Sequence, residues 1–264
     1  MDFQINGKIA LISGSTAGIG FAIACELARE GATVVINGRS QQSVDAALGR
    51  LRAQVAGADV QGVAADLSTP AGCQTLFAAC PQVDILVNNL GIFDPQPFEA
   101  IADDEWQRFF DVNVMSGVRL SRHYLPAMKA ANWGRIVFIS SESGINTPGE
   151  MVHYGMTKSA QLAVSRGLAQ SCAGSGVTVN AVLPGPTRSE GVGEFFAKLA
   201  ADSGISLDAM ERRFFAEGRP TSILKRMIDP AEVAALVAYV CSARAAATTG
   251  AALRVEGGIV STIC

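Results

Sequence analysis

Short apolar runs alternate along the chain with longer amphipathic segments. KIALIS (residues 8 to 13), ATVVIN, DVQGVAA, VDILVNN, GRIVFISS, GVTVNAVLP and ALRVEGG are rich in β-branched or apolar residues and read as strands. Between them lie helical patterns: about Ile19 to Glu30, stopped by Gly31; Ser40 to about Val55, with Ser40 as N-cap; and a helix opened by Thr69–Pro70. A long helical region covers about Asp104 to Ala130, with an interruption expected near Pro126, which has no N–H to donate. Another covers Met151 to about Ala173, and Asp229–Pro230 opens the last.

Strands separated by helices of this length require crossover connections. They therefore predict an α/β fold, a doubly wound parallel sheet of about seven strands with helices on both faces. The absence of repeats and low-complexity linkers predicts one domain over residues 1–264. The less regular stretch from about 187 to 226 reads as a substrate-covering insertion within it.

Composition narrows the function. Hydrophobic residues make up 49% of the 264 positions and charged residues 17%, which suggests a large core and hidden subunit surfaces. The net charge of −3, with no basic stripe, argues against a nucleic-acid partner. No apolar run reaches the length of a membrane span, and the first residues lack the layout of a signal peptide. Six scattered cysteines without a CxxC and two distant histidines, His123 and His153, predict neither a disulfide framework nor a metal site. A reducing, cytoplasmic setting fits these features.

SGSTAGIG follows the first strand at the mouth of a helix. Glycines there let a pyrophosphate approach unpaired helix N–H groups. Gly14, Ser15, Thr16, Gly18, Ile19 and Gly20 are thus candidates for a dinucleotide. The second strand ends in Asn37–Gly38–Arg39, where a carboxylate for the ribose hydroxyls of NAD would otherwise stand. An arginine offers a planar fork to a 2′-phosphate, so NADP(H) is favoured and NAD(H) is the alternative. Ser15, Thr16 and Ala17 are neutral, so Arg39 carries that assignment alone. Asp66 and Leu67 follow the third strand, where Asp66 is placed to accept from the adenine amino group or to start the next turn. Asn88, Asn89 and Gly91 close the fourth strand, where side-chain amides can tie strands together and border a cofactor.

SGSTAGIG, NNLG, Asn113 in DVNV, SS at the end of the fifth strand, HYGMTK and LPGPT occur in that order. Together they resemble the short-chain dehydrogenase/reductase family from about Lys8 to Gly258. The members most similar in pattern include 3-oxoacyl-thioester reductases. The resemblance implies a Rossmann-type sheet with strand order 3-2-1-4-5-6-7 and an active site at the carboxyl ends of the strands. It implies catalytic roles for Asn113, Ser141, Tyr154 and Lys158, and places Pro184, Gly185 and Thr187 beside the nicotinamide. Ser141 is selected over Ser140 and Ser143 by lying 13 residues before Tyr154 and three before a glycine. Family habit also implies a homotetramer. Leu90 stands where alanine is commoner and adds bulk near the glycine turn. Ser13 and Glu256 replace the commoner threonine and aspartate.

The chemistry has its own logic. Reducing a ketone to a secondary alcohol needs a hydride at carbon and a proton at oxygen. A lysine at i+4 lies on the same helix face as the tyrosine. At about 4 Å and an effective dielectric near 20, its charge favours the phenolate by roughly 4 kcal/mol. Desolvation opposes this, and the balance is expected to bring Tyr154 towards working pH. Ser141 can stabilise charge on the carbonyl oxygen. Lys158 can also hold the nicotinamide ribose, and Asn113 a water connecting Lys158 to solvent.

Glu142, Ser143, Ile145, Glu150, His153 and the segment from Arg188 to Arg226 are substrate-facing candidates. His153 is read as a pocket-edge or surface residue. The aromatic pairs Phe195–Phe196 and Phe214–Phe215 either cover an apolar substrate or pack the insertion onto its own subunit. A small-molecule carbonyl or alcohol is the expected partner, in the reductive direction. A 3-oxoacyl-[acyl-carrier-protein] substrate needs a basic docking rim, which AANWG and SCAGSG do not supply. The alternative from another class is a non-catalytic regulator that senses nicotinamide cofactor through the same fold.

Overall fold

The computed structural model describes residues 2–263. Its strands are β1 (Ile9–Ile12), β2 (Thr33–Gly38), β3 (Val60–Ala64), β4 (Ile85–Asn88), β5 (Gly134–Ile139), β6 (Val177–Pro184) and β7 (Ala252–Val255). The helices are α1 (Gly18–Arg29), α2 (Gln41–Gln54), α3 (Pro70–Ala79), α4 (Asp103–Phe110), α5 (Ser116–Ala130), α6 (Val152–Ser171), α7 (Glu190–Ser203), α8 (Leu207–Arg213) and α9 (Pro230–Cys241). All strand pairs are parallel, in the order β3-β2-β1-β4-β5-β6-β7, as the motifs implied. The order reverses beside β1, so the crevice for a ligand opens between the carboxyl ends of β1 and β4.

Side-chain alternation along β1 builds a core on each face of the sheet. Ala10 and Ile12 join the α1 and α9 side, with Ile23, Val233 and Val237. Leu11 points to the other side, with Leu76, Leu120 and Tyr124. Several helix starts follow from their caps. Ser40 Oγ accepts from Ser43 N at 3.2 Å, and Thr69 Oγ1 accepts from Gly72 N at 3.0 Å. Asp229 and Glu232 form a reciprocal capping box at α9. Gly31 follows α1 with φ +83°, a conformation that glycine reaches without steric cost.

The expected break at Pro126 does not occur, because that proline lies inside α5. The helical path instead widens at Asp111–Met115, a single π-turn between α4 and α5. Asn113 sits in it, with Oδ1 accepting from Ile92 N at 2.8 Å and Nδ2 donating to Ile92 O at 3.0 Å. Such a bulge re-aims one side chain without ending the helix, here onto the loop after β4.

The stretch read as an insertion contains α7 and α8. Phe196, Ala200, Met210, Phe215 and Met227 form a small core of their own there. Among the described residues, no helix is long and apolar enough to cross a membrane.

Candidate active site

The turn between β1 and α1 packs so closely that side chains are excluded. A Cβ on Gly20 would lie 2.5 Å from Asn89 Nδ2 and 2.6 Å from Gly14 O. Asn89 fastens β4 to this turn by donating to Ser13 O and Gly14 O, both at 3.0 Å. Ser13 Oγ in turn accepts from Asn89 N and Leu90 N, so the serine in place of threonine keeps its function as an anchor. Leu90 does crowd the turn: its Cδ1 is 3.3 Å from where a Gly14 Cβ would stand.

The Asn37 side chain is occupied by the protein itself. It is buried, with Oδ1 accepting from Gly14 N and Nδ2 donating to the carbonyls of Val63 and Ala65. That amide is spent on pinning the turn to β2 and β3. Leu67 is likewise a core residue, 1% exposed, and its side chain does not face the crevice. Asp66 Oδ1 accepts from Ser68 N and Oγ, the role of a turn starter. Arg39 is exposed just beyond the end of β2.

The amide of Gly18, at the N-terminus of α1, donates to the Glu190 carboxylate at 2.7 Å. The N-terminus of α1 thus presents an N–H to an oxyanion where a pyrophosphate was expected. A basic group also reaches the turn, although none lies within its own residues. Arg50, on α2, donates to Thr16 O, stacks 4.3 Å over Phe21 and lies 3.5 Å from Glu190. Its spacing from the turn, 34 positions away, is set by packing of α2 and left no motif to read.

Ile19, Asn89, Gly91, Ser141, Tyr154, Lys158, Pro184, Gly185 and Thr187 share the wall of one cavity of about 410 Å³. These residues come from the carboxyl ends of β4, β5 and β6 and from the first turns of α1 and α6. Lys158 is 4% exposed, donates to Ile139 O at 3.0 Å and lies 5.5 Å from the centre of the Tyr154 ring. Asn113 stands behind Gly91: a Cβ there would be 3.4 Å from Lys158 Nζ and 3.6 Å from Asn113 Oδ1. The Asn113 amide also donates to Thr157 Oγ1, and its carbonyl accepts from Gln161, so this asparagine ties the loop after β4 to α6.

The electrostatics differ from the sequence expectation. Burial pushes the Tyr154 phenol well above its ordinary pKa, and the nearby Glu142 carboxylate adds to the rise. A hydrogen bond with Ser141 and the Arg219 charge oppose it. Desolvation and Glu142 therefore outweigh Ser141 and Arg219, and the phenol keeps its proton at neutral pH. Burial brings Lys158 down to about 8, against a smaller upward pull from Glu142.

Of the substrate-facing candidates, Glu142, Ser143 and Glu150 line the cavity, together with Phe195, Phe196 and Phe214. Phe196 thus faces the cavity and its own core at once, whereas Phe215 belongs to the core. Ile145 is exposed and outside the lining. His153 is neither pocket-edge nor surface: it is fully buried, 4.0 Å from the Phe109 ring and 5.9 Å from that of Trp106. Burial lowers its pKa. Neighbours in sequence on a helix point about 100° apart, so Tyr154 can face the cavity only if His153 faces the α4 side.

One residue without a sequence signal completes the site. Arg219 is 8% exposed and pairs with Glu142 Oε1 at 3.2 Å and Glu150 Oε1 at 3.3 Å. Among the described residues no cluster could hold a metal ion.

The short chain dehydrogenase family model matches residues 8–200. The chain is 49% identical to the Bacillus subtilis oxidoreductase YvaG, covering all of both. It is 32% identical to the 3-oxoacyl-[acyl-carrier-protein] reductase FabG of Escherichia coli, over 98% of this chain and 99% of that one. The structure of L-sorbose reductase from Gluconobacter frateurii, complexed with NADPH and L-sorbose, superposes with a TM-score of 0.93 over the full length of both chains at 31% identity. With this fold, these ordered motifs and these relatives, the chain belongs to the short-chain dehydrogenase/reductase family. It is an oxidoreductase of the kind that acts on CH–OH and carbonyl groups.

Proposed function

We propose that the protein reduces a ketone to a secondary alcohol with NADPH, through Ser141, Tyr154 and Lys158. The convergence of these three side chains on one cavity wall, beside Pro184, Gly185 and Thr187, carries the reading. When bound, NADP(H) supplies or accepts the hydride. Gly14, Ser15, Thr16, Gly18, Ile19 and Gly20 would hold its phosphates, Arg39 its 2′-phosphate, Asp66 its adenine, and Lys158 its nicotinamide ribose. The neighbour complexed with NADPH supports that choice of cofactor.

Tyr154 gives its proton to the carbonyl oxygen as the oxygen gains charge. Its phenol is protonated at neutral pH, as reduction requires, while the burial that raises its pKa makes that proton harder to release. Ser141 steadies the same oxygen by hydrogen bonding. The Lys158 ammonium lies close enough to favour the phenolate that proton transfer leaves behind. Asn113 fixes the loop that carries Gly91 against this lysine.

Lys158 gives a pH signature. Below about 8 it carries its charge in the free enzyme, and above that pH the charge is lost. The kcat/KM for ketone reduction should therefore fall as pH rises, with a midpoint near 8. Initial rates of NADPH consumption across neutral and alkaline pH check it. A profile that rises through this range would count against the assignment.

Cofactor choice has a separate test. Arg39→Asp should shift the ratio of kcat/KM for NADPH over NADH towards NADH by about tenfold or more, the effect of losing one charge-assisted bidentate contact. A wild type that already prefers NADH would refute the role given to Arg39.

We extend the proposal to a homotetramer working in the cytoplasm. Exposed apolar side chains such as Phe98 and Ile223 support hidden subunit surfaces. The cysteines Cys25, Cys73, Cys80, Cys172 and Cys241 are free and buried, in keeping with a reducing compartment; Cys264 lies outside the described residues. A monomer in sedimentation equilibrium would remove the tetramer.

A further inference from the structure

Glu142 is a buried carboxylate set beside the reacting groups of the cavity. It is 4% exposed. Its Oε2 accepts from the Ser141 hydroxyl, from Ser143 N at 2.7 Å and from Ser143 Oγ at 3.0 Å. Its Oε1 accepts from Arg219 Nε at 3.2 Å. Arg219 in turn donates to Gly218 O and Glu150, and its guanidinium lies 5.4 Å from the Phe214 ring. Two carboxylates thus surround one guanidinium. Ile92, Phe93, Phe195, Leu199 and Phe214 supply a hydrocarbon part of the same lining.

The hydrogen-bond accounting changes when a ketone binds. In the structure the single Ser141 proton goes to Glu142. To hold a carbonyl oxygen, Ser141 must turn that proton away from the carboxylate. Glu142 Oε2 keeps Ser143 N and Ser143 Oγ but loses its third donor, the one on the cavity side, and a buried carboxylate is weakened by each donor it gives up. A substrate that brings its own hydroxyl on the carbon next to the carbonyl restores the bond. The two oxygens of such a hydroxy ketone sit side by side, as the Ser141 hydroxyl and the carboxylate do. A plain ketone leaves Glu142 short of a donor. A keto acid sets a third carboxylate against Glu142 and Glu150, whose guanidinium partner Arg219 is already shared between the two.

Resting on the reductase reading above, we propose that Glu142, held by Arg219, selects α-hydroxy ketones with an apolar tail. The hydroxyl donates to Glu142, the carbonyl oxygen accepts from Ser141 and Tyr154, and the tail lies on the aromatic wall. An ammonium in place of the hydroxyl fits less well, because Arg219 already offsets the charge of Glu142 and the wall offers no solvation. A contact made only to anchor the 218–222 segment would require Oε1 towards Arg219, but not Oε2 towards the reacting serine.

The test compares butyl methyl ketone, butyl hydroxymethyl ketone and the matching butyl α-keto acid with NADPH. The wild type should favour the hydroxymethyl ketone over the methyl ketone by about tenfold or more in kcat/KM, with the keto acid last. The double variant Glu142→Met/Arg219→Met removes the acceptor and its counter-charge together, so no lone buried charge remains. Its ratio of hydroxymethyl to methyl ketone should fall to near parity, a readout that a merely structural tie would not move. A wild type that prefers the methyl ketone or the keto acid overturns the inference and leaves the reductase reading intact. A double variant that keeps the preference overturns the role of Glu142. Turnover of none of the three overturns the inference, while the reductase reading is judged by the wider ketone panel that ends the Discussion.

Discussion

Tyr154→Phe should bind NADPH as the wild type does and lose turnover by about 100- to 10,000-fold, the usual worth of a positioned general acid. The substitution removes one oxygen and keeps the ring, so the helix and the cavity wall lose no packing. In the proposed reduction the missing atom is the proton donor to the carbonyl oxygen. A thousandfold loss corresponds to about 4 kcal/mol of transition-state stabilisation. Ser141 remains to steady the oxygen but, as an aliphatic alcohol, is a much weaker acid than a phenol and does not replace the lost proton. Initial rates with a reducible ketone, beside a fluorescence titration with NADPH, separate the two effects. Loss of cofactor binding in this variant would mean that Tyr154 holds the site together rather than serving the reaction.

Gly20→Ala should have the second large effect, and on a different quantity. The added methyl would meet Asn89 Nδ2 at 2.5 Å, Gly14 O at 2.6 Å and Ser15 Cα at 3.0 Å. Two of the three neighbours are backbone of the turn itself, so the turn must move. Overpacking of this kind costs about 1–3 kcal/mol. Because the atoms that move are the ones that present the amides to the phosphates, NADPH affinity should fall by about tenfold or more. Gly49→Ala is the contrast: it lies inside α2 with nothing within 4 Å of the new methyl. It should stabilise by up to about 1 kcal/mol through helix propensity alone. Denaturant melts and cofactor titrations of both variants check this pair. Equal behaviour of the two would show that the turn is not the rigid cradle described.

Periodicity and punctuation were enough to find the seven strands, their helices and the caps at Ser40, Thr69 and Asp229, because those features depend on residues near one another in the chain. Ser141, Tyr154, Lys158, Pro184, Gly185 and Thr187 were legible through the ordered motifs and the family they resemble, and they share one cavity. What escaped depends on packing between distant segments. Pro126 was a visible helix breaker, but the real irregularity at Asp111–Met115 answers the pull of Asn113 on Ile92. His153 was misplaced because its neighbour Tyr154 claims the cavity side of α6. Asn37 looked available to a ligand, yet three backbone groups consume its amide. The expected lowering of the Tyr154 pKa gave too little weight to burial and none to Glu142, whose carboxylate raises it. Arg219 and Arg50 could not be picked out from other arginines until the fold put one against Glu142 and the other against the glycine turn.

The claim that most needs testing is hydride delivery to a ketone carbon in this cavity. NADPH carrying deuterium at its transferring carbon, incubated with the wild type and a panel of ketones that includes hydroxymethyl ketones, tests it directly by mass spectrometry of the products. A secondary alcohol with one deuterium on the carbinol carbon is expected from the wild type and not from Tyr154→Phe. Tight NADPH binding with no deuterated alcohol from any ketone would contradict it, and would favour a protein that senses the cofactor without using it.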